Sequence, residues 1–150
     1  MGLLKLKKAI SKYKKLYLDT PCFIYYFEKN LGYASLLGTI FKDLAQRRKE
    51  AVTSCLSVME TLILPKKKEN IDLEQVYFGV FKHYPNLIVL DFNFGLANLA
   101  AKLRAKYNIK APDAIHLATA ISSNAQTFIT NDPKLKQIRE IPILILRDYL

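Results

Sequence analysis

An α/β domain built on a parallel sheet is the fold this sequence predicts, and three observations predict it. Short apolar runs of four to seven residues ("LYLD", "AVTSCLS", "NLIVLDF", "TFIT" and "ILIL") recur along the chain, too short for helices and too continuous for strands with one wet face. Between them lie longer stretches whose apolar residues repeat every three to four positions, the mark of amphipathic helices. Strands alternating with helices in this way are covered on both faces. Finally, acids stand at or just beyond the ends of several of these runs, where ligands bind in open parallel sheets.

The elements follow in order. "LLKLKKAISKYKKL" sets Leu3, Leu6, Ile10 and Tyr13 on one stripe with lysines between them, so residues 1–15 read as a basic, amphipathic extension ahead of the first strand, "LYLD". Thr20 as N-cap and Pro21 as first helical residue open a helix over "CFIYYFEKN", and a longer one runs through "ASLLGTIFKDLAQRRKE". "AVTSCLS" is the second strand and leads into a helix at "VMETLIL" that Pro65 and Lys66 to Lys68 bring to an end. A helix from about Leu73 to Lys82 precedes the third strand, "NLIVLDF". "GLANLAAKLRAKY" is helical, with Leu96, Leu99, Ala100 and Leu103 on one stripe, and "PDAIHLATAIS" is the next helix. "TFIT" and "ILIL" complete a central parallel sheet of about five strands with helices on both faces. No repeat or linker divides the chain, so residues 1–150 form a single domain.

Composition narrows the classes. The chain of 150 residues is 51% hydrophobic, enough for a core that buries roughly 70% of the unfolded surface. Cys22 and Cys55 are far apart and in no metal-ligand spacing, which gives a disulfide framework or a zinc site little support and fits a reducing cytoplasm. No apolar run approaches the ~20 residues of a membrane span, and "SKYKKL" stands where a signal peptide would place its apolar region. Against 13 acids stand 23 lysines and arginines, a formal charge of +10, which predicts attraction to nucleic acid, anionic lipid or an acidic protein.

Four acids carry the chemistry. Asp19 ends the first strand, Glu60 lies three residues after Ser57, Asp113 follows Pro112 and Asp132 precedes Pro133. Singly, each has a helix-end explanation: Ser57 with Glu60 makes a capping box, Asp132 is a good N-cap, and Asp113 suits the positive end of a helix dipole. Asp19, Glu60 and Asp132 fall at one edge of the sheet, and Asp113, which starts the helix leading into the fourth strand, is inferred to reach it. Four carboxylates there would repel one another unless a cation neutralised them. Oxygen ligands without a His/Cys cluster select Mg²⁺ or Mn²⁺, one ion or two. Such an ion polarises a phosphoryl oxygen and activates water, and a basic surrounding suits a phosphodiester substrate.

"YLDT", "SVMET" and "PDAIHLATAI" followed by "TFITND" strongly resemble the PIN-domain ribonucleases, and among them the VapC-type toxins of bacterial toxin-antitoxin pairs. The similarity runs from about Leu16 to the end, and the last pair of motifs is its specific part. Matched position by position, the family's metal-binding acids fall on Asp19, Glu60, Asp113 and Asp132, with Thr130 and Asn131 beside the last. The resemblance implies Mg²⁺- or Mn²⁺-dependent endonuclease cleavage of RNA by metal-activated water, homodimers, and inhibition by a small antitoxin whose tail enters the acidic groove. Asp19, Asp113 and Asp132 would hold metal, and Glu60 would ligate it through water or orient the nucleophile. Two departures are the long basic extension, which reads as packing on the core, and Pro21 directly after "DT".

Other residues are weighed beside these. Asp91 also ends a strand and is a rival metal or second-layer residue outside the motif. His116 reads as a structural residue on a helix with a core stripe, and His83 as a turn residue. "FIYYF" could stack bases, although its helical spacing is that of core packing. Lys66 to Lys68 and Arg47 to Lys49 fit either a phosphate backbone or solvated helix ends. Receiver and aspartyl-phosphatase chemistry is disfavoured because "LDTPC" lacks the second acid each requires. The remaining alternative is a PIN-like module that binds RNA or protein without catalysis.

Overall fold

Alternation of side chains along each strand divides the core into two. In the computed structural model, which describes residues 1–150, the strands are β1 (Lys15–Leu18), β2 (Glu50–Ser54), β3 (Leu87–Leu90), β4 (Thr127–Thr130) and β5 (Ile143–Ile145). All pair in parallel, in the order β3-β2-β1-β4-β5. Leu16, Leu18, Ala51 and Ile129 face one apolar cluster, while Tyr17, Val52 and Phe128 face the other. This is the two-faced burial that the uninterrupted apolar runs require.

Helices α1 (Gly2–Ile10), α2 (Thr20–Phe27), α3 (Tyr33–Ala45), α4 (Cys55–Lys67) and α5 (Ile71–His83) contribute to the first cluster. Helices α6 (Phe94–Lys106) and α7 (Ala111–Ser122) build the second. Two 3₁₀ turns, Pro133–Gln137 and Leu146–Tyr149, follow β4 and β5. The basic extension does pack: Leu6 and Ile10 of α1 are buried in the first cluster. A Cβ added at Gly2 would stand 1.6 Å from the Tyr149 carbonyl oxygen, so only glycine allows α1 to lie this close to the last turn.

Lys49 locks α1 from the other end. Its Nζ is buried in a residue only 9% exposed and donates to the carbonyls of Ile10 and Tyr13. Lys49→Ala is therefore expected to cost about 1.5–3 kcal/mol, the range for hydrogen bonds from a charged donor. Urea denaturation of the two proteins measures it, and an unchanged midpoint would remove this role.

Several boundaries differ from the sequence reading. Asp19, not Thr20, is the N-cap of α2, with its Oδ1 accepting from the Thr20 amide, so Pro21 is the second helical residue. The predicted strand "AVTSCLS" stops at Ser54, which caps α4 by accepting from Leu56 N. Ser57 is thus inside the helix and makes no capping box with Glu60, which stands in the second turn. Pro65 does not end α4. Placed in the last turn, it forfeits only the bond to the Thr61 carbonyl, and the helix continues to Lys67 before Glu69 takes φ of 51°. Helix α3 ends at Ala45, ahead of Arg47 at φ of 55°, and leaves Glu50 free to begin β2.

Candidate active site

The sheet order fixes where a ligand can sit. Strands β1, β2 and β3 wind to one side and the chain then crosses to β4 on the other, so the winding reverses between β1 and β4. A crevice opens outside the carboxyl ends of strands at such a reversal. Asp19 follows β1 and Thr130, Asn131 and Asp132 end or follow β4, on the two banks of this crevice. Helix α4 leaves β2 on the same side and brings Glu60, and α7 begins there with Asp113 in its first turn. All four acids, with His116, Tyr25, Thr130 and Asn131, line one open groove of about 480 Å³.

The groove is braced from beneath. Asp19 is 6% exposed; its Oδ1 accepts from the Thr20 amide and its Oδ2 from the Thr130 hydroxyl at 2.7 Å. Thr130 also accepts from Asp132 N at 3.3 Å, joining both banks. Asn131 turns away from the acids: its amide donates to the Tyr25 hydroxyl and its carbonyl oxygen accepts from Arg147 N. Thr130 thus supports a carboxylate directly, while Asn131 fixes the loop. Asp132 caps the following turn by accepting from Lys134 N at 3.0 Å. Cap and groove residue are one and the same.

His116 is the residue that sequence reasoning undervalued. It is 2% exposed, its Nε2 donates to Glu60 Oε1 at 2.7 Å and lies 3.5 Å from Asp19 Oδ1, and its Nδ1 stands 2.6 Å from the Tyr17 hydroxyl. Thr20 Oγ1 donates to the same Glu60 oxygen at 2.8 Å. The available signal was spacing: three positions after Asp113, His116 shares its helix face. Its other neighbours come from β1 and α4, which the sequence could not place. His116→Ala frees Glu60 and is expected to weaken divalent-ion affinity by roughly 10–100-fold, as loss of a residue that orients a ligand does. Titration with Mn²⁺ would show it, and unchanged affinity would confine His116 to packing.

Electrostatics follow from this packing. Burial raises the Asp19 carboxyl above its ordinary range, although the His116 charge and the bonds from Thr130 and Thr20 oppose it. Burial also raises Asp113, and the neighbouring Asp19 and Asp132 add to the rise. Glu60 moves the other way: burial pushes it up, but the bonds from His116 and Thr20 outweigh this and hold it down. His116 is penalised by burial, yet Glu60 and Asp19 raise it overall.

A crowd of carboxylates held against their own repulsion is a donor set for a hard cation. As the side chains stand, no three acidic, imidazole or thiol groups close to chelating distance. A test follows from the raised Asp19 and Asp113. In the metal-free protein, stability from their protonation is full at acid pH and is lost as pH rises through their elevated folded values. A divalent ion held by these carboxylates would replace those protons, so Mn²⁺ is expected to raise the melting temperature more at pH about 7.5 than at pH about 5. The gain follows RT ln(1 + [L]/Kd), about 2.7 kcal/mol at a hundredfold excess over Kd. Equal shifts at both pH values in thermal scans would show that protons do not compete with the ion at Asp19 and Asp113.

Asp91 lies elsewhere. It follows β3 at the sheet edge and lines a separate shallow groove with Asn93, Thr119 and Ser122, two strands away from β1. The rival ligand of the sequence reading is not in the acidic groove. In "FIYYF" only Ile24 and Tyr25 reach it, and Phe23, Tyr26 and Phe27 pack against Phe41.

Comparisons agree with this fold. Residues 16–141 match the family model described as PIN domain. No curated protein matches the chain. Among solved structures, the chain is similar to one from VapBC2 of Rickettsia felis, bound to a DNA fragment from its promoter: 20% identity, TM-score 0.70, covering 87% of this chain and 98% of that one. A toxin-antitoxin complex from Klebsiella pneumoniae gives 22% identity and TM-score 0.66, covering 87% and 97%. DNA-bound VapBC from Salmonella typhimurium gives 19% and 0.64, covering 88% and 98%. At these identities the likeness is one of fold.

Proposed function

This chain belongs to the PIN-domain family, and on that premise we propose that it is a metal-dependent endoribonuclease, the VapC-type toxin of a toxin-antitoxin pair. The observation that carries the reading is that Asp19, Glu60, Asp113 and Asp132, delivered by four different elements, line a single groove at the winding reversal of the sheet.

Asp19, Asp113 and Asp132 would hold Mg²⁺ or Mn²⁺, one ion or two, with Glu60 ligating through water or orienting the attacking water. When bound, such an ion polarises the phosphodiester and lowers the pKa of a coordinated water. The protein's own contribution is positional. Thr130 and Thr20 N fix the Asp19 carboxylate, and His116 and Thr20 Oγ1 fix Glu60, so neither must reorganise when charge develops on the phosphate. Tyr25, stacked on Tyr33 at 4.5 Å between centroids, presents an aromatic face at the groove edge where a base can lie.

The similar structures are toxin-antitoxin complexes, which supports a small antitoxin as partner. The same reading brings a homodimer and a cytoplasmic site of action; no helix is long and apolar enough to cross a membrane. The test is incubation of the purified, partner-free chain with labelled total RNA in Mn²⁺ or Mg²⁺ and in EDTA. Discrete metal-dependent cuts are expected. Silence on every RNA class from folded protein would overturn the reading in favour of a non-catalytic PIN-like binding module.

A further inference from the structure

A second groove, of about 450 Å³, lies at the opposite edge of the sheet from the carboxylates. Its walls are α1, the connection into β1, α3 and the loop leading into β2, so it sits where β1 and β2 begin. Lys7, Lys14 and Lys42 enter it from three of these segments, all exposed and none with a carboxylate at ion-pair distance. The one acid in its wall, Asp43, is held by Arg48 at 2.5 Å. Lys49 at its floor is fixed by the Ile10 and Tyr13 carbonyls, and burial together with the Lys14 charge lowers its amine despite Asp43. Residues 1–15 hold six lysines and no acid. The molecule therefore has a negative groove at one end of its strands and a positive one at the other.

We propose that the positive groove binds the phosphate backbone of an RNA strand, at a place separate from the acidic groove. A docking site for protein is centred on apolar and aromatic anchors, and here the one apolar wall residue is Ile10, itself buried. A helix lying on a membrane turns its apolar face outward, whereas Leu6 and Ile10 of α1 point into the core. What remains is concave and cationic, which is how proteins follow a single-stranded backbone. Four carboxylates repel a polyanion, so a cationic groove elsewhere on the surface holds the strand and raises its local concentration at the acids. The choice of RNA rests on the nuclease reading; the binding itself does not.

The test is fluorescence anisotropy of a labelled oligouridine with the full chain in EDTA, over a series of salt concentrations. Lys7→Gln/Lys14→Gln/Lys42→Gln is compared with Lys66→Gln/Lys67→Gln/Lys68→Gln, which has the same net charge. The first variant is expected to bind roughly tenfold or more weaker, with its salt slope reduced by about 2, near 0.7 per lost phosphate contact on a single strand. The second variant should stay near wild type. Equal losses in both variants, or none in either, overturn the proposal. So does a first variant that loses binding to phosphatidylserine-containing vesicles while keeping its RNA affinity, since the groove would then serve lipid. All six lysines are exposed, and thermal melts confirm that both variants fold. Cleavage in Mn²⁺ is scored separately, so a protein that binds through this groove but never cuts defeats only the nuclease reading.

Discussion

Asp113→Asn is expected, on the proposed nuclease reading, to lower metal-dependent RNA cleavage by on the order of 10²–10⁴-fold, since loss of a metal ligand there would remove several kcal/mol of transition-state stabilisation. The same substitution is expected to leave the metal-free protein as stable as before, or slightly more so. Burial and the charges of Asp19 and Asp132 work against the Asp113 carboxylate, and its side chain makes no intramolecular hydrogen bond that asparagine would break. Asp91→Asn, prepared identically, should cut at the wild-type rate because Asp91 lies outside the acidic groove. Labelled RNA in Mn²⁺ and thermal melts in EDTA read the two halves of the expectation. Equal cleavage by wild type and Asp113→Asn would show that the acids are misassigned.

The largest loss of stability is expected at Phe41. Its ring is fully buried, stacked on Tyr26 at 4.6 Å and edge-on to Phe23, Phe27 and Tyr84 at 5.0 to 5.8 Å between centroids. Tyr84 also donates from its hydroxyl to the Phe41 carbonyl. Phe41→Ala removes the hub of this cluster and should cost about 3–5 kcal/mol, as deletion of a buried ring does. Chemical denaturation measures the loss; a cost below about 1 kcal/mol would mean that the neighbouring rings collapse into the space. Cleavage per folded molecule should be unchanged, because no residue of the cluster lines the acidic groove.

Strands β1, β2 and β4 were legible in the sequence because burial on both faces leaves continuous apolar runs. Strands β3 and β5, at the sheet edges, carry the same apolar runs although β3 is only partly covered and Ile88 is exposed. The four acids were legible for a related reason: strand ends in a parallel sheet share an edge, so Asp19, Glu60 and Asp132 could be gathered before any contact was known. What escaped was decided by contacts between remote segments. His116 looks like one more polar residue on an alanine-rich helix until β1 and α4 place Tyr17 and Glu60 against it. Ser54 and Ser57 are both plausible caps, and the choice falls to Ser54 because Thr53 and Thr20 take up the Ser57 hydroxyl. Asp91 carried the right local signature, but β3 pairs at the far side of β2. Local patterning supplied the elements and their edges; strand order then sorted the acids.

The bond from the Thr130 hydroxyl to Asp19 joins residues 111 positions apart, and this has a consequence for how the protein is made. Closing so long a loop carries an entropic cost that only the assembled sheet repays. A chain still emerging from the ribosome can display Asp19, Glu60 and Asp113, yet it has neither Thr130 to brace the first nor Asp132 to complete the set. The complete four-acid groove thus forms late in synthesis, in a single step with the docking of β4 beside β1. A chain cut short before β4 lacks both the Thr130 brace and Asp132, so it cannot assemble the four-acid groove.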